Sequence, residues 1–160
     1  MDSQSLACRD EAISTKPQMF SLRTPMVSAG IIENVVAETD LMKVSVKIYA
    51  EGGENFLHSH LKEDHFFVIL DGKASFKDPH GAEVVLSTYQ GIMLPRGCYY
   101  MFTNVGDKPL VLLRASATSV TPRVKDSRKW WEGVVDTRPS SRGKEAIVPG
   151  RYFAEGSNIK

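Results

Sequence analysis

Gly52-Gly53-Glu54-Asn55-Phe56-Leu57-His58-Ser59-His60-Leu61-Lys62-Glu63-Asp64-His65-Phe66-Phe67-Val68-Ile69-Leu70-Asp71-Gly72 holds three of the chain's four histidines. His58 and His60 stand two apart, and on a β-strand residues i and i+2 point to the same face. Two imidazoles placed so, about 7 Å apart along the backbone, can converge on one ion. A third ligand has to come from a turn or a neighbouring strand, and His65 opens the apolar run of residues 66–70 that Asp71-Gly72 stops. Two histidines at this spacing are a weak signal alone. A third at the head of the next strand, between glycines at 52 and 72, makes it a much stronger one.

Outward from this stretch the chain reads as strand after strand. Met42, Val44, Val46 and Ile48 alternate with Lys43, Ser45, Lys47 and Tyr49, the period of a half-buried strand. Residues 73–77 and 83–86 flank Asp78-Pro79-His80-Gly81, a hairpin turn signal that places His80 in solvent. Residues 91–95 form another short apolar run, closed by Arg96-Gly97, and residues 99–104 and 110–115 flank the turn Val105-Gly106-Asp107-Lys108-Pro109. Short strands at regular spacing with polar turns predict an all-β sandwich or barrel over residues 26–119. Residues 1–25 read as an N-terminal arm punctuated by Pro17 and Pro25. Residues 120–160, with Pro122, Pro139, Pro149 and the pair Trp130-Trp131, read as a C-terminal tail packing on the barrel or on a dimer partner, with one short helix near residues 126–134.

The totals bound the partners. At 160 residues the chain is the size of one domain, and 20 basic residues against 19 acidic ones give no basic excess for nucleic acid. No stretch approaches the ~20 apolar residues of a membrane helix. Cys8 and Cys98 lie far apart and form no disulfide framework. Asp2, Arg9, Asp10, Glu11 and Lys16 leave no apolar run for a secretory signal, so the expected compartment is the cytoplasm.

The quoted segment resembles the first motif of the cupin superfamily: Gly, five residues, His, one residue, His, three or four residues, Glu, six residues, Gly. The spacing from Gly52 to His58 and His60 fits, and counting back from Gly72 puts the family's glutamate at position 65, where this chain has His65. Pro95-Arg96-Gly97-Cys98-Tyr99-Tyr100-Met101-Phe102-Thr103-Asn104 is similar to the second motif. Its Pro-x-Gly and final Asn match, the family's fourth ligand, a histidine, falls on Tyr100, and Gly91 lies closer to Pro95 than the pattern asks. The resemblance covers roughly residues 40–115. It implies a double-stranded β-helix barrel with extended N- and C-terminal arms, paired as a homodimer, and a divalent metal held by His58, His60 and His65. Asp64 is the alternative third ligand, from the shorter form of the motif. Tyr100 is either a fourth ligand or a catalytic group that orients or protonates substrate. Three imidazoles alone would be neutral and leave a divalent ion its full charge as a Lewis acid.

Fe(II) is the expected metal, with Zn, Ni, Mn and Co as alternatives, because imidazoles accept most late first-row divalent ions. Phe56, Phe67, Ile69, Met93 and Phe102 are the expected pocket residues for a small-molecule substrate, aromatic or diketone-like rather than a sugar. Glu63 reads as a solvated loop charge, Glu54 as an exposed turn residue and Cys98 as a small buried hydrophobe. Arg96 and Arg114 are surface residues by default and substrate-carboxylate binders as the alternative. Trp130 and Trp131 anchor the tail or form a lid. Three functions follow: a non-haem Fe(II) dioxygenase; a Zn, Ni, Mn or Co lyase, isomerase or cyclase; and a non-catalytic small-ligand-binding protein.

Overall fold

In the computed structural model, which describes residues 16–120, 127–131 and 145–159, the alternation predicted from sequence becomes twelve β-strands and no α-helix among the described residues. They are β1 (Thr24–Ala29), β2 (Ile31–Glu38), β3 (Met42–Tyr49), β4 (Gly53–His60), β5 (Glu63–Asp71), β6 (Lys73–Lys77), β7 (Glu83–Ser87), β8 (Gly91–Leu94), β9 (Tyr100–Asn104), β10 (Leu110–Thr118), β11 (Arg128–Trp130) and β12 (Ala146–Phe153). Cys8, Pro122, Pro139 and the side chain of Glu54 lie outside the described residues.

One five-stranded sheet runs β2-β3-β10-β5-β8 and the other β11-β4-β9-β6-β7. Their facing sides share one core of Tyr49, Phe67, Ile69, Phe76, Leu94, Tyr100, Phe102, Leu110 and Leu112. Phe67, Phe76 and Phe102 meet there with ring centroids 5.0–5.8 Å apart. Burying each such side chain contributes roughly 1.5–3 kcal/mol, so this cluster is a main driver of barrel closure.

The other side of the first sheet is covered as well. β1 and β12 pair into a two-stranded ribbon, and Val27, Met26 and Phe153 from it pack with Val46, Ile48 and Val111. β3 is therefore buried on both faces over its last five residues, where its alternation predicted one solvated face. Ser45, Lys47 and Tyr49 turn towards the barrel interior and Val46 and Ile48 towards the ribbon. The tail departs from expectation over Arg128–Trp130: within the helix expected near residues 126–134 these form strand β11, because their backbone completes the open edge of β4, and residues 126 and 132–134 lie outside the described residues.

Polar groups buried on the first sheet are matched to one another. Arg114 Nη2 donates to Glu33 Oε1 at 2.8 Å, and Ser45 Oγ donates to the same oxygen at 3.0 Å. Burial pushes the Glu33 carboxyl up, but Arg114, Lys47 and Lys43 with the Ser45 hydroxyl outweigh it and hold the carboxyl below its ordinary value.

Two glycines set the ends of the histidine segment. Gly72 turns the chain from β5 to β6 with φ of 88°. Gly53 lies so close to β9 that an added Cβ would sit 2.8 Å from Thr103 Cα, closer than side chains pack against backbone. Gly53→Ala should cost about 2–3 kcal/mol, read as a lowered urea midpoint, because neither strand can give way. Gly81→Ala, in an open turn with φ of 84°, should cost no more than about 1–2 kcal/mol.

Candidate metal centre

The site is built where the two sheets meet. β4 ends at His60, Leu61-Lys62 turns the chain, and β5 starts at Glu63 in the other sheet. Backbone bonds hold that turn: Leu61 N–H donates to Ser127 C=O at 3.1 Å, Gly97 N–H to His60 C=O at 2.9 Å, and Ser119 N–H to Lys62 C=O at 2.8 Å. Strand parity then puts His58 and His60 on one face of β4, and Glu63, His65 and Phe67 on one face of β5.

His60, Glu63 and His65 bring one ligand atom each within 4.8 Å of one another. Glu63 Oε2 lies 3.3 Å from His65 Nε2 and 3.8 Å from His60 Nδ1. Two donors each about 2.1 Å from one ion and at near-right to tetrahedral angles are roughly 3.0–3.4 Å apart, so the spacing is close to that of a ligand set. His60 Nδ1 is buried without a hydrogen-bond partner among the described residues, and in the tautomer that leaves it unprotonated its lone pair is one a metal would take. His58 stands beside the group, its ring centroid 5.2 Å from that of His60. Its Nδ1–H donates to the Phe56 carbonyl at 2.8 Å, which leaves the lone pair on Nε2, as a metal-binding imidazole requires. The residues present fit a divalent ion.

His65 is held on both sides. A carboxylate only accepts, so Nε2–H donates to Glu63, and Nδ1 accepts from the Tyr100 hydroxyl at 3.2 Å. Tyr100 thus faces the side of the ring opposite Glu63. Burial, then the neighbouring His65 and His58 and the charges of Arg128 and Arg114, push His60 down to about 2. Burial also lowers His65; the hydrogen bond to Glu63 opposes it, and Arg114 and Lys47 add to it. Both rings are neutral at neutral pH; for His65 to ligate through Nε2 its proton moves to Nδ1, and the Tyr100 oxygen then accepts from it.

Several sequence expectations are corrected here. Glu63 is no loop charge: it opens β5 with 13% of its side chain exposed, and supplies a carboxylate where three neutral imidazoles were expected. Parity was the missed signal, since Glu63 shares a face with His65. Asp64 falls on the other face, 42% exposed, and accepts from Arg96 N–H at 2.8 Å. Phe67, Ile69 and Phe102 are buried core side chains, with Phe67 forming the floor 6.1 Å from His65 by ring centroids. Met93 is 62% exposed, opposite Phe66 on the outer face. Phe56 does reach the site, edge-on to Trp130 at 6.4 Å. Arg114 is enclosed rather than on the surface. Cys98 is exposed, and partial burial and Asp78 raise its thiol, the reverse of an activated thiolate.

β11 walls the cluster. Trp130 stands opposite His58 and Arg128 opposite His60 in the pairing with β4. The Trp130 ring lies 5.8 Å from that of His58, and Trp131 packs on Tyr99 and His80.

Two facing antiparallel sheets with a histidine–carboxylate cluster at one end define a β-barrel of the double-stranded β-helix class with a candidate metal site. Residues 45–115 match the cupin domain family, and the fold around them is the double-stranded β-helix of that superfamily. The chain is similar to a conserved double-stranded β-helix protein of Klebsiella pneumoniae, 20% identical with a TM-score of 0.60 over 74% of this chain and 95% of that one. It is also similar to a cupin described as a sugar phosphate isomerase from Silicibacter pomeroyi, 19% identical, TM-score 0.51, over 56% and 60%. The cupin domain of Schizosaccharomyces pombe Cnp3 is 20% identical, TM-score 0.51, over 56% and 61%. The chain thus spans about three fifths of the last two, and such likeness carries the fold alone. No curated protein sequence matches the chain. No helix among the described residues is long and apolar enough to cross a membrane.

Glu63→Gln should weaken Co(II) or Zn(II) binding at least tenfold, and Asp64→Asn should leave it within twofold, by competition against a chromophoric chelator. A second expectation concerns acid. An unfolded histidine binds protons below its ordinary value of 6.5, and the folded rings resist them. Stability of the metal-free protein is therefore full above about pH 6.5 and falls as pH drops below it. The slope is at most about 1.4 kcal/mol per pH unit for each ring. Urea midpoints between pH 7 and 5 should show this fall, and His60→Asn should flatten it.

Proposed function

We propose that this cupin is a metal-dependent enzyme acting on a small organic molecule, with Fe(II) as its metal and dioxygenation as its reaction. The observation that carries the reading is the donor set: His60, Glu63 and His65 offer two imidazoles and a carboxylate, with His58 beside them. Two imidazoles and a carboxylate on one side of an ion leave open positions for substrate and oxygen, the arrangement that suits non-haem Fe(II). When bound, such an ion supplies Lewis acidity and one-electron chemistry. The chain's own residues do the rest. Tyr100 fixes the ring of His65, Phe67 closes the floor, and Trp130 and Phe56 form an aromatic wall that excludes water. The proposed enzyme works as a homodimer on a small substrate, in the cytoplasm.

A second reading is a Zn, Ni, Mn or Co isomerase or lyase. The Tyr100 hydroxyl, 3.2 Å from His65, favours it, because a positioned phenol can move a proton next to a polarised carbonyl.

Metal analysis of untagged protein purified without chelator, on wild type and His60→Ala together, separates these readings. Near-stoichiometric iron in wild type, lost in the variant, is the expected result, with turnover that stops under nitrogen. Zinc, nickel, cobalt or manganese with oxygen-independent turnover would replace the first reading by the second. No metal, and none taken up on reconstitution, would overturn both in favour of a ligand-binding cupin.

A further inference from the structure

The first sheet carries other polar side chains on the face that holds His65, and the metal set uses none of them. On β10, Ser116 stands opposite His65 and Arg114 opposite Phe67. Arg114 therefore projects from the same face as His65, one row further along. Its side chain is 11% exposed, the same small fraction as that of His60. Its charge acts on both His60 and His65.

The ion pair with Glu33 does not use up this guanidinium. Nη2 donates to Glu33 Oε1, but Arg114 Nε is buried with no hydrogen-bond partner among the described residues. Glu33 is also served by others: Ser45 Oγ donates to it, and Lys43 Nζ lies 3.8 Å away. A buried donor left open costs free energy that a bound acceptor recovers. The acceptor that matches the planar N–H fork of an arginine is a carboxylate, which accepts two parallel bonds from it.

We infer that the substrate is a small carboxylic acid, bound with its carboxylate on Arg114 and its reacting part towards the histidine cluster. The inference rests on the metal-enzyme reading only for what happens at the far end of the molecule. It makes Arg114 a specificity-determining residue and Glu33 its internal competitor.

Calorimetric titration of the full chain loaded with Co(II) tests this, with phenylacetate against phenylacetamide and hexanoate against hexanamide. At least one acid should bind tenfold or more tighter than its amide. Arg114→Met should abolish that preference. Arg114→Lys, which keeps the charge but not the fork, should cut it at least fivefold and carries the test if the methionine variant fails to fold. Glu33→Gln, which removes the competing negative charge from Nη2, should bind the acid several-fold tighter. An unchanged Co(II) absorption spectrum across the variants shows that the metal site is intact. Equal binding of acid and amide, no binding of either acid, or full preference retained in Arg114→Lys would overturn the inference. A wild type that takes up no cobalt would defeat the metal reading instead, and the acid–amide comparison on the metal-free chain would still decide this one.

Discussion

The two-residue turn at Leu61-Lys62 is the constraint on which the site depends. It carries the chain from the end of β4 in one sheet to the start of β5 in the other, so the donors of the two sheets meet at one end of the barrel. Three backbone hydrogen bonds from separate segments pin it. A longer connection would let the sheets splay at this end, and His60 and Glu63 would lose their 3.8 Å approach. At the other end Gly72 joins the two sheets, and Asn104 Nδ2 of β9 donates to the Tyr49 carbonyl of β3. The apolar packing between the ends is non-directional and could not set such distances by itself.

The barrel interior is accordingly graded. Leu110, Leu112, Ile69, Phe76 and Phe102 fill one part to closure. Towards the turn, the first sheet's inner face changes to Arg114, Ser45, Ser116 and His65, which are polar and buried or nearly so. Such a layer is costly unless its groups satisfy one another or a ligand. Glu33, Ser45 and Arg114 do so in part, and Tyr100, His65 and Glu63 form a second chain of bonds. Arg114 Nε stays open within these groups and His60 Nδ1 beside them, and Arg114 stands one row from His65 on the same face. Packing alone would favour apolar side chains there, so the polar layer is better explained by what it binds.

Period two made the strands of residues 42–115 legible, and with them the all-β class. Its limit shows in β3, where alternation between apolar and polar residues predicted solvent on one side. Lys47 and Ser45 are buried instead, because they face a polar interior while the terminal ribbon covers the other face. The tail could not be read in the same way: three residues, Arg128–Trp130, are too short to show any period, and their strand exists only because β4 offers an edge. In the site, motif spacing located His58, His60 and His65, but matching positions to a pattern hid Glu63, which lies two residues ahead of where a carboxylate was sought. Asp64, the alternative from the shorter form of the motif, lies by parity on the other face, against Arg96. The identity of the pocket residues was least legible, since aromatic side chains at strand spacing fill a core as readily as they line a cavity.

Parity also resolves the chain's departure from the cupin pattern. The family's set has three histidines and one glutamate. Here the glutamate's place holds His65 and the fourth histidine's place holds Tyr100, which would reduce the set to three neutral rings. Moving a carboxylate by two positions along a strand keeps it on the same face, about 7 Å along the backbone. Glu63 is so placed, and its side chain folds back to within 3.3 Å of His65. Two imidazoles and one carboxylate are thus brought together, with His58 beside them, and the negative charge of the family's set is kept with its members exchanged. The position freed on β9 goes to Tyr100, whose hydroxyl orients His65 instead of competing for the ion. The exchange also leaves Trp130 of β11 as the aromatic wall of the cluster, opposite His58 with the two rings 5.8 Å apart.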